Sequence, residues 1–434
     1  MVSIKNTEWA LLLALFLFVF APPLLPIPLI YLLGPVVLLY VYRRVKTPMM
    51  GQVINKSHIF AVAKLFLFMT FYMVLVGAVD ILFAGEKDVF LTRLRCFNQV
   101  FFLSFFQFGF VAYLIYKYNK KNLSFEGSMD LLVKAGILQG ICAILAFLLP
   151  PVRQLFVTFG DQELFTNEYF LDTRGYGFSM TLIDTFGYGM GLIAGYIILF
   201  KWGKGIDKYL LIALVLILFT IAVNARTGIL VFLIALAIKV LYCKSIGQFI
   251  LRLFPISLFL VASYSILPEL LKLGVESDNQ TISWICFSFS SVFDLMQESN
   301  VSSSDIQELD FLSSFINLPS NPLELIFGTG HYVYDTQSSL GFRTDIGYFN
   351  LFWEFGLLGS IIIMIAMFLF MFRPFFLTHD VSIKKICLFN TVTYFMLLMK
   401  AILIGYNPGV FVNYLVTFSI YFYIYGKKNV KRIK

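Results

Sequence analysis

GTGHYVYDTQSSLGFRTDIGYFNLFWEFGLLG, residues 328–359, is the stretch on which the reading of this chain turns. It opens with a glycine-punctuated turn and gathers His331, Asp335, Arg343 and Asp345 within fifteen residues. It then passes directly into an apolar run carrying Asn350 and Glu354. A long apolar run entered from a polar loop reads as the mouth of a membrane helix. Charged and hydrogen-bonding groups are costly at such a place, so their clustering there points to function.

The rest of the chain supplies the frame. Of its 434 residues, 59% are hydrophobic, 18% aromatic and 13% charged. A soluble domain is about half apolar and about a quarter charged, so the composition is that of an all-α polytopic membrane protein. The 50 Phe and 23 Tyr suit lipid-facing and interfacial positions. A net charge of +8 would suggest nucleic acid in a soluble protein; here loop asymmetry accounts for it and no nucleic-acid partner is expected. Cys96, Cys142, Cys243, Cys286 and Cys387 form neither a CxxC pair nor a zinc spacing. The N-terminus has Lys5 before an apolar run, but Ala21-Pro22-Pro23 is a poor cleavage site and a second span follows at once. It reads as a retained first span.

Stretches of the roughly 17 to 25 apolar residues that cross a bilayer fall near 8–22, 24–42, 59–83, 97–117, 131–149, 178–200, 207–223, 226–243, 249–267, 346–372, 384–404 and 410–426. About twelve transmembrane helices therefore make a single integral membrane domain over 1–434. Pro22, Pro23, Pro26 and Pro28 place a tight hairpin between the first two spans. The connections sort by charge. One side holds 24 of the 33 Lys+Arg and 5 of the 25 Asp+Glu, a net of +19; the other holds 9 and 20, a net of −11. The positive-inside rule then puts both termini in the cytoplasm.

Two loops on the outer side are long, 150–177 and 268–345. In the second, between spans 9 and 10, Trp284, Phe287, Phe289, Val292, Phe293 and Met296 among polar residues suit a short helix lying on the membrane surface. Asn317-Leu318-Pro319-Ser320-Asn321-Pro322 breaks the chain before the opening stretch.

Basic residues are scarce outside, which makes the arginines informative. Arg226, in NARTG at the start of span 8, has almost no loop to solvate it and can reach an anion at the bilayer surface. Snorkelling to lipid phosphates is the plainer alternative. Arg174 and Arg343 each precede a span, and each has a glycine thirteen positions later, Gly187 and Gly356. Guanidinium groups are planar, permanently charged forks that bind phosphate bidentately. Three at one face read as a diphosphate clamp, and a diphosphate there implies a lipid-linked donor.

Glycosyl transfer from such a donor needs a base for the attacking hydroxyl. Candidates are Asp345, His331 and Glu354. Asp345 could equally be the ion-pair partner of Arg343, His331 a solvated loop residue, and Glu354 a buried hydrogen-bonding group. Asp184, near the outer end of span 6, divides the same way. No phosphate loop, GxSxG, Cys/His or HExxH arrangement is present, and Asp161-Gln162-Glu163 is a weak DxD-like match, so neither metal nor other cofactor is expected. GYGMGLIAG, residues 187–195, reads as a close helix-packing surface rather than a nucleotide loop.

NARTG at 224–228, the long outer loop, LIFGTG at 325–330 and RTDIGYFNLFWEFGLLG at 343–359 together resemble the O-antigen polymerase (Wzy) family, within the wider group that includes the O-antigen ligases. The resemblance implies a metal-independent, inverting glycosyltransferase at the outer face of the bacterial cytoplasmic (inner) membrane. Its substrates would be undecaprenyl-diphosphate-linked oligosaccharides, joined for O-antigen, capsule or exopolysaccharide, with a flippase and a chain-length regulator as partners. It assigns Arg226 and Arg343 to the diphosphate. The ligases carry a histidine shortly before the segment matching EFGLLG; here Asp345 holds that place, which favours polymerase. The thirteen-residue arginine-to-glycine spacing differs from the ten residues of some polymerases. A ligase, or a flippase for the same lipid-linked units, is the alternative. Flippases are expected to show near-symmetric halves and short loops, which this chain lacks.

Overall fold

The computed structural model describes residues 2–20, 23–24, 27–28, 125–159, 177–179, 184–201, 208–224, 227–242, 318–319, 321–328, 347–399 and 408–433, with isolated positions at 64, 71–72, 74–75, 78, 109, 111–112 and 247. The expected spans 24–42, 59–83, 97–117 and 249–267 and the surface helix near 284–296 lie wholly or almost wholly outside them.

The described residues are overwhelmingly helical. In order they form α1 (Val2–Phe20), α2 (Phe125–Leu148), α3 (Pro150–Phe159), α4 (Asp184–Tyr196), α5 (Lys208–Asn224), α6 (Thr227–Leu241), α7 (Pro322–Phe327), α8 (Gly347–Leu377), α9 (Val381–Leu397) and α10 (Pro408–Ile433). A two-residue ladder pairs β1 (Pro23–Leu24) with β2 (Ile27–Pro28), antiparallel, where prolines predicted a hairpin. α2 and α8 are long and apolar enough to cross a membrane, and five shorter apolar helices accompany them.

Contacts divide the chain into two compact units, and the boundary falls inside α2. Residues 1–21, 29–136 and 314–434 make the first. Its core is aromatic. Phe370 of α8 packs on Tyr414, Phe418 and Tyr421 of α10, with ring centroids 5.0–6.2 Å apart. The Tyr421 hydroxyl donates to the Phe370 carbonyl at 3.0 Å. The Asn390 amide of α9 donates to the Asn413 carbonyl at 2.9 Å and to the Thr417 hydroxyl at 2.7 Å, crossing to α10. In a medium without competing water such cross-helix bonds join helices that apolar contact alone would let slide. Lys134 of α2 pairs with Glu8 of α1.

Residues 22–28 and 137–313 make the second unit, with α4, α5 and α6 at its centre. Gly187 and Gly191 of α4 meet Gly228 of α6 backbone to backbone. A Cβ on Gly191 would lie 2.5 Å from the Gly228 carbonyl oxygen. One on Gly228 would press on the Gly187 carbonyl and stand 2.6 Å from Ile221 Cγ2. The glycine-rich run is thus a packing surface, as read from the sequence. Past this crossing, α4 widens into a π-turn, Ile197–Lys201. There the buried Lys239 ammonium of α6 donates to the Ile198 carbonyl at 2.9 Å.

Two sequence expectations are corrected. The sequence places span 6 from residue 178, but 177–179 is non-helical, and the described helix is Asp184–Tyr196. Two glycines in RGYGFS disfavour helix, and Gly177 lies so close to the Gln139 side chain that a Cβ there would stand 2.7 Å from its Cδ. The sequence places span 10 near 346–372 and gives no sign of a break. The helix extends to Leu377 and is broken at Gly356 (φ 67°, ψ 177°).

Candidate functional site

The site builds from α7 upward. Asn321 caps the helix: its side-chain oxygen accepts from the Leu323 N–H at 3.1 Å, and Pro322 sits in the first turn, where a missing N–H costs nothing. Gly328 closes the helix at φ 85°, its N–H donating to the Glu324 carbonyl at 2.7 Å. α7 buries none of its side chains, and Leu323, Ile326 and Phe327 are exposed. Side-chain burial therefore does not hold it to the fold.

A paired-glycine contact does. A Cβ on Gly328 would lie 2.5 Å from both the Glu354 carbonyl oxygen and the Gly356 nitrogen. A Cβ on Gly356 would collide with the Ile326 carbonyl and the Gly328 nitrogen. Both residues have positive φ, which a side chain resists on its own account. Hence the turn of LIFGTG and the glycine of EFGLLG, distant in sequence, pack with nothing between their backbones.

Gly356 divides α8 into a front part, 347–355, and a rear part, 357–377. The front part carries Asn350 and Glu354, one helical turn apart and on one face, 2% and 1% exposed. Glu354 thus stands at the helix break, with its own carbonyl against Gly328. A carboxylic side chain so fully enclosed in an apolar helix is expensive, and a broken helix is tolerated at membrane depth only where protein covers it. Gly356 is buried accordingly.

In the second unit the structure describes the flanks of NARTG. Asn224 ends α5, 1% exposed, its amide donating to the Thr220 carbonyl at 2.9 Å. Thr227 opens α6, and Gly228 sits at the α4 crossing. Gly187 and Gly356, the two glycines thirteen residues after an arginine, both lie at backbone contacts.

Of the residues chosen from sequence, Glu354 is described in full and Asp184 only as the first residue of α4. Asp345, His331, Arg226, Arg343 and Arg174 lie outside the described residues. Sequence reasoning missed the pairing of Gly328 with Gly356 and the tethers of Tyr348. The Tyr348 N–H donates to the Leu398 carbonyl at 3.1 Å, and its hydroxyl to the Phe395 carbonyl at 2.8 Å. No metal-holding group of three His, Cys, Asp or Glu occurs among the described residues.

No protein-family model matches the chain, and no curated protein matches it.

Proposed function

We propose that this protein polymerises lipid-linked oligosaccharide repeat units at the outer face of the bacterial cytoplasmic membrane, through about twelve spans with both termini inside. One observation carries the reading. Residues 329–346, which bear His331, Arg343 and Asp345, leave from Gly328 beside the Glu354 carbonyl and return at Gly347, on the same helix as Glu354. At 1.5 Å rise per residue, those two anchors are roughly 13 Å apart. The two described residues that flank the polar half of the motif, Gly328 and Gly347, are thus both fixed to the part of α8 that carries the buried Glu354.

In the reaction, the acceptor sugar's hydroxyl oxygen attacks the anomeric carbon of the donor as the bond from that carbon to the lipid diphosphate breaks. A base takes the hydroxyl proton; Asp345, His331 and Glu354 are the candidates. Arg226 and Arg343, with Arg174 as a third candidate, would hold the departing diphosphate through charge-assisted bonds. The donor and acceptor are undecaprenyl-diphosphate-linked oligosaccharides, and neither metal nor cofactor takes part.

The test is a gel of surface glycan from cells lacking the protein. Single repeat units in place of a ladder are expected. Arg226→Ala and Arg343→Ala chains should reach the membrane in normal amount yet restore no ladder; a full ladder from either removes that arginine from the reaction. Loss of all surface glycan, with units trapped in the inner leaflet, would make the protein a flippase. Full-length polymer stranded on its lipid would make it a ligase.

A further inference from the structure

The front part of α8 is held at both ends. An N–H in the first turn of a helix and a carbonyl in the last turn lack partners within their own helices, and lipid supplies none. Tyr348 uses that rule twice. Its N–H, in the first turn of α8, donates to the carbonyl of Leu398, the residue capping α9. Its phenol donates to the Phe395 carbonyl in the last turn of α9. One residue thereby joins the start of α8 to the end of α9 through two bonds. At the far end the helix stops at Gly356, which meets the Gly328 backbone too closely for either position to carry a side chain.

We propose that Tyr348, Gly328 and Gly356 are positioning residues that clamp residues 347–355 into one rigid platform. The platform sets the place of Glu354 and of Gly347, the described residue nearest in sequence to Arg343 and Asp345, and so the geometry of glycosyl transfer. This rests on the polymerase reading. Asn350 and Glu354 both lie on the buried face between the clamps, so a rotation or shift of this short segment moves them together.

Tyr348→Phe is the informative variant, because it deletes one donor and keeps the ring and the backbone bond. With the purified full-length chain in lipid discs, and lipid-linked oligosaccharide extracted from cells lacking the protein, it should slow polymerisation by about tenfold to a hundredfold, the scale of a small misplacement of reacting groups. Its unfolding midpoint should stay within about 3 °C of the parent. Gly328→Ala should slow the reaction similarly, and the double variant should be little slower than either single one, because both loosen one unit. Wild-type rates from Tyr348→Phe, or losses that multiply in the double variant, overturn the clamp.

A second readout is independent of activity. Spin labels at positions 349 and 392, on the platform and on α9, should report a narrow distance distribution that broadens in Tyr348→Phe. An unchanged width also overturns the clamp. An unmutated chain that joins no units overturns the polymerase reading instead, and leaves the distance measurement to judge the clamp.

Discussion

At Gly356 two penalties coincide. A residue other than glycine at φ 67° stores about 1–3 kcal/mol of backbone strain, and its Cβ would collide with the Ile326 carbonyl and the Gly328 nitrogen. Forcing atoms into a close-packed contact costs about 1–3 kcal/mol more. Gly356→Ala should therefore destabilise the protein by about 2–6 kcal/mol, read as a lowered thermal midpoint in detergent. Gly247, whose Cβ would meet nothing within 4 Å, is the control and its alanine variant should melt as the parent does. Equal midpoints for the two variants would refute the paired-glycine contact. The sequence marked Gly356 by its distance from Arg343 and Gly328 by the turn it opens. It could not join them, because a contact between two bare backbones leaves no side-chain pattern to read. Glu354 was legible as an isolated acid in an apolar run; the tethers of Tyr348 were not, since one tyrosine among so many aromatics carries no local mark.

Among the elements, the helices were legible wherever apolar runs are continuous. Expected spans 207–223 and 226–243 match α5 and α6 within about two residues, the usual uncertainty of helix ends. Glycine explains the failures. Hydropathy averages over a window, so a single Gly356 vanishes into the apolar run of α8, and RGYGFS was apolar enough to be read into span 6. Glycine also explains a success, because the cluster of small residues in α4 announced a close helix contact, though not that α6 would be its partner. That crossing makes a prediction of its own. Gly191→Ala and Gly228→Ala each place a methyl against backbone and should each cost about 1–3 kcal/mol. Both methyls part the same pair of helices, so the double variant should cost distinctly less than the sum. Strict additivity in thermal unfolding would mean that the two glycines do not share one contact.

For the whole molecule, the sequence argument was one of charge: 24 of 33 basic residues fall on one side if the spans alternate. Contacts within each unit bring particular helix segments together, and they would be the same with the two sides exchanged. In the first, Lys134 of α2 meets Glu8 of α1, and Phe125 of α2 lies 6.2 Å from Tyr423 of α10, all near span ends assigned to the cytoplasm. Tyr348 meets Phe395 and Leu398 toward span ends assigned outside. In the second, Gly140 of α2 lies against Leu216 and Thr220 of α5, matching the middle of one span with the body of another. The prediction is therefore about sides. With native cysteines replaced, Ser303→Cys in the long outer loop should react with a membrane-impermeant maleimide in intact cells. Asn429→Cys in the tail should react only after the membrane is opened. Reversed labelling would invert the molecule, putting the Arg226 and Arg343 junctions in the cytoplasm, where soluble nucleotide donors are present. The case for a lipid-diphosphate donor would then fall with the topology, because that donor was inferred from the side on which the arginines stand.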